Sequence, residues 1–319
     1  VSLQRHTRAR EPTTPRLPAQ PLKTVEAAWQ AGVRYFDTAP FYGAGLAESR
    51  LGEVLKERPR GDYALGTKVG RLILEDHEQK SGLFEDGRPN QLANDYSADA
   101  TKRSIEESLQ RLQTDTLDYV FVHDISRDFH GDEWITRFDE ARNGAFPVLS
   151  ELQEQGVISG WGLGFNTVEP IELALDMDHN APTMSLTATQ YTLLQHKRAL
   201  QRVMPAAQEK DVGIIVGAPF NSGALLGGEH FDYAEIPEHI KDQVSRLREV
   251  ADRHGVRLKD AALQFSSAHP AVAAVIPGSS RPGRIAEDVS AMAAEIPRSF
   301  WDELLDQGLI SPEAPLPSS

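Results

Sequence analysis

The sequence predicts an α/β protein with parallel strands, because three observations agree. Short apolar segments rich in Val, Ile and Phe alternate with longer segments that carry apolar residues at helical spacing. Most of the apolar segments contain few polar residues, as strands buried on both faces do. Polar side chains come directly after several of these segments. Seven such strands are visible in the sequence, and with one further strand they fit a (β/α)8 barrel better than an open sheet.

The predicted elements follow in order along the chain. The strands cover residues 33–36, 63–68, 117–122, 157–165, 184–189, 212–216 and 272–276. The helices cover residues 22–31, 46–55, 98–112, 145–155, 168–175, 199–210, 237–254 and 258–269, a segment that ends near residue 292, and a last segment around residues 300–305. Residues 70–95 and 125–143 are predicted as long polar loops. No G-x-G-x-x-G follows an early strand, which argues against a Rossmann fold.

The N-terminal region differs from the rest of the chain. Residues 1–21 contain four arginines among four prolines, without glycine or an alternating apolar pattern, so we expect an irregular or disordered arm. The length of 319 residues allows one large domain or two domains. Composition does not break after residue 22, which favours a single barrel domain over residues 22–319.

Composition excludes several classes of partner. The net charge is -14, so the chain repels nucleic acid and anionic membranes, and we expect neither as a partner. There is no cysteine, which excludes disulfides, thiol catalysis and thiolate metal sites and is compatible with the reducing cytoplasm where we expect the protein. No apolar run approaches the roughly 18 residues of a membrane span, and no signal peptide is visible. The oligomeric state cannot be read from this composition.

The strand ends carry the residues from which a chemistry can be inferred. Three consecutive strands are followed by, or end in, Asp37, Lys68 and His123, and Tyr42 lies on the first of these loops. A tyrosine exchanges protons poorly near neutral pH because its ordinary pKa is about 10, and a neighbouring ammonium lowers that value. The carboxylate would hold the lysine charged, and the histidine would orient a substrate oxygen. This set suits proton transfer at oxygen while a hydride moves at carbon, which requires a nicotinamide or a flavin.

Taken one at a time, these residues more often have structural roles. An aspartate at a strand end is usually a turn or cap residue, and a lone buried histidine is usually a satisfied core residue. His123 and Asp124 could also suggest a metal site, but adjacent residues of a strand point to opposite faces, so we expect no metal.

With these residues in view, the chain resembles the aldo-keto reductases. The matching segments are residues 32–43, 48–52, 66–68, 108–112, 118–123 and 276–279. The resemblance covers the chain from about residue 22 to its end. It implies a (β/α)8 barrel, a nicotinamide cofactor bound without a Rossmann motif, and a small alcohol or carbonyl substrate. It also implies a catalytic tetrad of Asp37, Tyr42, Lys68 and His123.

The resemblance further implies a set of cofactor-binding residues. Asn166 and Gln190 match positions that hold the nicotinamide carboxamide, and Gly217 stands where a stacking tyrosine is often found. Ser222 and Leu225 fall in the loop that contacts the pyrophosphate. Gly278, Ser279, Arg284, Glu287 and Asp288 fall where the adenosine end binds. Because many NADP-using members carry a lysine where Gly278 stands, NAD is expected as the preferred cofactor and NADP as an alternative one.

Three further segments narrow the resemblance within the family. Residues 95–97, 121–126 and 220–223 are similar to a branch of aldose 1-dehydrogenases, of the D-threo-aldose or L-fucose type, and pyridoxal 4-dehydrogenases. Such enzymes oxidise an alcohol to a lactone or a carbonyl, so we expect oxidation of an aldose at C1 or of a pyridoxal-type alcohol.

One part of the family pattern is absent. The glycine-rich first strand of the family is not found in residues 1–21, so we expect the first strand to be atypical or missing. Two other functions stay open at this point. One is a barrel protein that binds the cofactor without catalysis, which tight binding without turnover would indicate. The other is a metal-dependent barrel hydrolase, which stoichiometric metal in the purified protein would indicate.

Overall fold

The structure is a computed structural model that describes residues 19–79, 87–232, 234–279 and 281–317. Its strands are Tyr35–Asp37 (β1), Ala64–Val69 (β2), Arg71–His77 (β3), Asn90–Asn94 (β4), Tyr119–His123 (β5), Gly160–Phe165 (β6), Met184–Ala188 (β7), Gly213–Gly217 (β8), His230–Phe231 (β9), Ala234–Glu235 (β10) and Val272–Ile276 (β11). Its helices are Ala19–Gln30 (α1), Leu46–Leu55 (α2), Ala98–Leu112 (α3), Arg127–His130 (α4), Trp134–Asn143 (α5), Ala145–Glu154 (α6), Glu169–Leu175 (α7), Lys197–Gln201 (α8), Val203–Glu209 (α9), Glu238–His254 (α10), Leu258–Ser267 (α11), Pro282–Met292 (α12) and Arg298–Asp306 (α13).

Seven of the strands form one parallel sheet. Their order is β1-β2-β5-β6-β7-β8-β11, and every neighbouring pair is parallel. This order follows the chain, as successive right-handed crossovers through helices produce. With its outer helices the sheet is a nearly closed barrel of the (β/α)8 type, so the predicted fold class is confirmed.

The barrel has a seam between β1 and β11. Within the described ranges, no pairing joins these two strands. A strand that preceded α1 would belong in this gap, and its residues would lie before Ala19, outside the described residues. The predicted arm also lies outside them, apart from residues 19–21, which form the first turn of α1. Since α1 packs against both α12 and α2, the helical layer continues across the seam.

The apolar core has two parts. The larger part lies between the sheet and the helices and includes the buried rings of Phe146, Trp161 and Phe265. The smaller part is centred on Phe121, Leu186 and Ile215, which belong to three strands of the barrel. The interior of the barrel is therefore apolar, and the polar residues lie next to it at the ends of the strands.

Both segments that were predicted as polar loops contain regular structure. β3 and β4 pair antiparallel outside the main sheet, whereas the sequence shows little alternation there, so pairing across the chain decides the structure. Residues 125–143 contain α4, a 3-10 turn and α5, and the buried pair Phe138 and Ala141 has the helical spacing that could have indicated α5. Among the described helices, none is long and apolar enough to cross a lipid bilayer.

Candidate active site

Three polar side chains meet at the carboxyl ends of β1, β2 and β5. Asp37 is the last residue of β1, Lys68 is the penultimate residue of β2, and His123 is the last residue of β5. Because these strands are neighbours in one parallel sheet, their ends lie at the same edge. Lys68 Nζ donates to Asp37 Oδ2 at 2.5 Å and to the carbonyl of Thr38 at 2.8 Å. The strand ends singled out in the sequence therefore form one cluster.

The position of Asp37 depends on a glycine in the next strand. Gly66 pairs with Asp37, and a Cβ at residue 66 would come within 2.9 Å of the Tyr35 hydroxyl and 3.1 Å of Asp37 Oδ1. The Tyr35 hydroxyl donates to that same oxygen at 3.5 Å. The carboxylate is thus contacted by Lys68 on one oxygen and by Tyr35 on the other.

Tyr42 completes the cluster from the loop after β1. Lys68 Nζ lies 5.2 Å from the centroid of its ring. The ring centroids of Tyr42 and His123 are 5.9 Å apart and the ring planes are nearly perpendicular, at 88°. Tyr42 is 37% exposed, whereas Lys68 and His123 are 2% and 6% exposed. Tyr42 is therefore the most exposed residue of the cluster as a whole, although its hydroxyl group lies among enough protein atoms for burial to raise its pKa.

Burial affects the pKa of each of these groups. Burial lowers the pKa of Lys68, but the negative charges of Asp37 and Tyr42 outweigh it, and the net pKa lies above the usual value. Burial raises the pKa of Tyr42, and the charge of Lys68 opposes this only in part. The expectation that Lys68 brings the pKa of this phenol below its usual value is therefore wrong, because the loss of hydration outweighs the ammonium.

His123 is held as a neutral imidazole. Burial lowers its pKa well below the usual value, and the positive charges of Lys68 and Arg71 lower it further. In the described part of the chain its Nδ1 atom is buried without a hydrogen-bond partner. One ring nitrogen of a neutral imidazole is a donor and the other an acceptor, so the surroundings decide which nitrogen carries the proton.

Adjacent residues of a strand point to opposite faces, but the side chain of Asp124 lies beside that of His123. Its Oδ2 atom lies 3.4 Å from His123 Nε2. The strand has ended at His123, and Asp124 has a φ of 55°, in the left-handed region, which turns its side chain back toward the histidine. The expectation of opposite faces is wrong for this reason. Among the described residues, no group of three or more His, Asp or Glu could hold a metal ion.

Sequence reasoning missed Arg71, which lies in the segment that was predicted as a loop. Its Nη2 atom donates to Asp124 Oδ2 at 2.7 Å. Its guanidinium carbon lies 4.2 Å from the ring centroid of Phe41 and 4.8 Å from that of Phe129. The sequence shows only that an arginine follows the candidate lysine by three residues, and this spacing does not predict that Arg71 pairs with Asp124.

A buried glutamate supports the same region from behind. Glu48 is fully buried on α2 and accepts from the Thr67 hydroxyl at 2.7 Å and from Arg111 Nε at 2.5 Å. Thr67 is adjacent to Lys68 on β2, so this pair of contacts fixes the strand next to the lysine. Glu48 belongs to one of the segments that carry the family resemblance.

A cavity of about 800 Å³ begins at this cluster and extends along the seam. Its lining includes six of the residues singled out in the sequence: Asp37, Tyr42, Gly217, Gly278, Ser279 and Asp288. Most of the remaining wall is apolar and comes from β1, β11, α1 and α12. A strand preceding α1 would belong in this same gap, so the apolar walls do not by themselves indicate a cofactor site, and the observation that concerns the cofactor is the position of the six named residues at the cavity wall.

The other residues implied for the cofactor are spread around the same rim. Asn166 is half-buried just after β6. Gln190 donates to the Thr189 hydroxyl at 3.1 Å and lines a second cavity of about 510 Å³. Ser222 and Leu225 lie in the loop after β8, where the Leu225 side chain is part of the core. Arg284 is exposed on α12.

Two acidic residues of the predicted adenosine end form ion pairs with a lysine. Lys259 Nζ lies 2.9 Å from Glu287 Oε2 and 2.7 Å from Asp288 Oδ1. Glu287 is exposed and Asp288 is buried at the cavity wall. The lysine reduces the negative charge that a dinucleotide would meet at this end of the cavity.

Comparison with known proteins decides the family. The family model described as "Aldo/keto reductase family" matches residues 10–306. The chain belongs to the aldo/keto reductase family. It is therefore an oxidoreductase of a family that uses nicotinamide cofactors and acts on small carbonyl or alcohol substrates.

The similar proteins include dehydrogenases of known activity. The chain is 35% identical to D-threo-aldose 1-dehydrogenase from Pseudomonas sp, over 90% of this chain and 87% of that protein. It is 37% identical to pyridoxal 4-dehydrogenase from Microbacterium luteolum, with the same coverage of 90% and 87%. Among solved structures, an aldo-keto reductase from Bacillus halodurans in its holo form matches with a TM-score of 0.69 and 27% identity, over 91% of this chain and 87% of that one. This aldo/keto reductase thus matches its relatives over most of their length.

Proposed function

We propose that this aldo/keto reductase is an NAD-dependent dehydrogenase that oxidises an aldose at C1 or a pyridoxal-type alcohol. The observation that carries the proposal is the convergence of Tyr42, Lys68 and His123 at one edge of the barrel, with Lys68 Nζ 5.2 Å from the Tyr42 ring. The substrate class is supported by the two dehydrogenases that are 35% and 37% identical.

Each member of the cluster has a role in moving one proton. In oxidation the Tyr42 oxygen accepts the proton of the substrate hydroxyl, and in reduction it returns that proton. Lys68 stabilises the phenolate, and Asp37 keeps Lys68 charged and in place. His123, which is neutral, donates a ring N–H to the substrate oxygen and orients it. A nicotinamide held by the residues named below would supply the hydride acceptor, because no side chain can take up a hydride.

The remaining residues would hold the cofactor, and four of them, Gly217, Gly278, Ser279 and Asp288, line the cavity of about 800 Å³. Asn166 and Gln190 would bind the carboxamide, and Gly217 would leave room beside the nicotinamide ring. Ser222 and the backbone of Leu225 would bind the pyrophosphate. Gly278, Ser279, Arg284, Glu287 and Asp288 would surround the adenosine.

The preference for NAD rests on Gly278. A Cβ at residue 278 would meet no atom within 4 Å, so there is room for a side chain at this position, and the glycine itself offers no charge to a 2′-phosphate. NADP would then gain no contact from its extra charge at this position. Equal catalytic efficiency with NAD and NADP would contradict this preference.

A substrate panel tests the proposal. Pyridoxal, L-fucose and D-arabinose are offered with NAD and with NADP, and formation of the reduced nicotinamide is followed by its absorbance. The Tyr42→Phe variant, which removes one oxygen atom, is expected to lower the rate about 10²–10⁴-fold, as loss of a general acid or base does. Tyr63→Phe removes the same atom just before β2, at the opposite end of the barrel, and is expected to leave the rate unchanged.

The outcomes separate the proposed function from its alternatives. Equal rates for the wild-type protein and Tyr42→Phe would exclude the proposed chemistry. Tight NAD binding without turnover of any alcohol in the panel would indicate a barrel that binds the cofactor and does not catalyse. The cytoplasmic location expected from the sequence stays a prediction, which fractionation of cells that produce the chain would check.

A further inference from the structure

Arg71 and Asp124 form a buried ion pair beside His123. Arg71 is 9% exposed and Asp124 is 4% exposed. Asp124 Oδ2 is the oxygen that meets both neighbours, with Arg71 Nη2 at 2.7 Å and His123 Nε2 at 3.4 Å. A buried pair of this kind is seldom a net gain in stability over apolar residues of the same size, which points to a role other than stability.

The backbone holds this arrangement in place. Asp124 N donates to the carbonyl of Gly164 at 3.2 Å, and the Tyr96 hydroxyl donates to the carbonyl of His123 at 3.0 Å. Tyr96 is fully buried against Gly70, where a Cβ would come within 2.3 Å of the tyrosine ring. Gly70 also has a φ of 100°, so a glycine is needed there both for the turn into Arg71 and for the position of Tyr96.

The guanidinium of Arg71 is fixed from both sides by aromatic rings. Phe41 and Phe129 lie 4.2 Å and 4.8 Å from its central carbon. Phe41 is adjacent to Tyr42, and its ring centroid is 6.0 Å from that of His123. Arg71 therefore touches the loop that carries the phenol as well as the carboxylate beside the imidazole.

The charge of Asp124 bears on the proton of the imidazole. An ionised carboxylate can only accept hydrogen bonds, so it favours a proton on the ring nitrogen that faces it. The nitrogen that faces Asp124 is Nε2, while Nδ1 has no partner in the described part of the chain. The distance of 3.4 Å is longer than a normal N–H···O bond, so the proton on Nε2 is still available to another acceptor.

We propose that Asp124, in the ionised form that pairs with Arg71, is a positioning residue that holds neutral His123 in the tautomer with the proton on Nε2. This inference rests on the proposed function, in which His123 donates an N–H to the substrate oxygen. The opposite tautomer would present a lone pair to that oxygen and repel it. Burial raises the pKa of Asp124 to about 7 although Arg71 opposes this rise, so the ionised form that fixes the tautomer is expected above about pH 7 and is lost below it.

Nitrogen NMR of histidine-labelled protein tests the proposal directly, without any substrate. The signals of His123 are assigned by their loss in His123→Gln. In the wild-type protein we expect Nε2 to be the protonated nitrogen. In Asp124→Asn the amide group can donate to Nε2, and we expect the ratio of the two tautomers to shift by about tenfold toward Nδ1–H, as loss of a contact with a charged group would produce.

Two kinds of variant control this measurement. Asp132→Asn removes an exposed acid that pairs with Arg127 on the same segment, and we expect the His123 signals to be unchanged. Arg71→Met is expected to shift the tautomer in the same direction as Asp124→Asn, and Arg71→Lys is expected to restore much of the wild-type ratio because it keeps the charge. An Nδ1–H tautomer in the wild-type protein, or an unchanged ratio in Asp124→Asn, would overturn the proposal.

Kinetics distinguish a failure of this inference from a failure of the proposed function. We expect Asp124→Asn to lower kcat about tenfold with little change in KM, since the N–H contact strengthens in the transition state. Normal turnover together with an unchanged tautomer would overturn the role of Asp124 and leave the dehydrogenase intact. If no alcohol is oxidised, the NMR result still decides the role of Asp124.

Discussion

The two edges of β1 have different surroundings. One edge pairs with β2, and at the end of that interface Asp37 and Lys68 form a buried ion pair with an N–O distance of 2.5 Å. The other edge faces the cavity of about 800 Å³ that separates it from β11. β6 is buried along its whole length, whereas every residue of β11 is half-buried or exposed. The groups proposed to transfer the proton therefore lie on the side where β1 is paired, whereas the seam is unpaired within the described ranges.

This difference shows how strand pairing builds a site. Buried charges are tolerated only where partners are fixed at hydrogen-bond distance, and paired strands supply such fixed positions. The seam exposes apolar side chains instead, such as Val289 and Met292 of α12, which are 42% and 46% exposed. We expect substitutions at the β1–β2 interface to have large effects on activity and stability, and substitutions at the seam between β1 and β11 to have small ones.

The largest effect is expected for Lys68→Met. It leaves Asp37 buried without its partner, which destabilises a protein by about 3–5 kcal/mol when the pair is buried. Turnover is expected to fall about 10²–10⁴-fold because the phenolate loses its stabilising charge. Urea unfolding and steady-state kinetics measure the two effects.

The matched control for this variant is Lys56→Met. Lys56 pairs with Glu53 at 2.8 Å, but both side chains are about one-third exposed or more, so loss of the pair changes stability by about 0–1 kcal/mol. Equal loss of stability in the two variants would show that burial of the Asp37–Lys68 pair does not matter.

The second effect concerns pH. Because burial raises the pKa of Tyr42, the phenol is protonated at neutral pH, which is the form needed for reduction. Oxidation needs the phenolate. While the pH is below the pKa, each increase of one pH unit raises the phenolate fraction about tenfold, so the oxidation rate is expected to keep rising up to about pH 9. The rate of reduction is expected to stay level over this range. Initial rates in both directions across this range provide the test. An oxidation rate that levels off near neutral pH would mean that Lys68 outweighs burial after all.

The third effect compares one substitution on the two sides of the barrel. Val216 of β8 is fully buried, whereas Val275 of β11 is half-buried. We expect Val216→Ala to lower the free energy of unfolding by about 2 kcal/mol and Val275→Ala by less than about 1 kcal/mol, because less apolar surface is lost at the seam. Urea unfolding of the two variants gives both values. Equal losses would indicate that residues outside the described ranges cover β11.

The smallest effect is expected at the far end of the seam. Gly278→Lys adds a charge where a side chain has open space, and we expect the ratio of catalytic efficiency with NADP to that with NAD to rise about tenfold, or by about 1.4 kcal/mol. Gly61→Lys adds the same charge at a second open position away from the site and serves as the control. A similar rise in the control would attribute the effect to the net charge of the protein and not to Gly278.

Some features of this protein could be predicted because their causes are local. Alternation of apolar runs with helical periodicity indicated the seven parallel strands, and strand β11 was predicted at Val272–Ile276, where the structure has it. Asp37, Lys68 and His123 were singled out by their places at strand ends and Tyr42 by its place on the first loop, because parallel strands bring their carboxyl ends to one edge, and the family resemblance implied the same four residues. The structure places these four side chains together, while their roles stay a proposal.

Other features depended on contacts between distant segments. The hairpin of β3 and β4 and the ion pair of Arg71 with Asp124 join residues whose spacing in the sequence carries no periodic signal. The turn of Asp124 toward His123 and the raised pKa of Tyr42 depend on a single backbone angle and on burial. The sequence by itself determined the seven strands of the main sheet and the polar groups that stand at their ends. Only the tertiary structure decided which groups meet and how much water they lose, because pairing and desolvation depend on the whole fold.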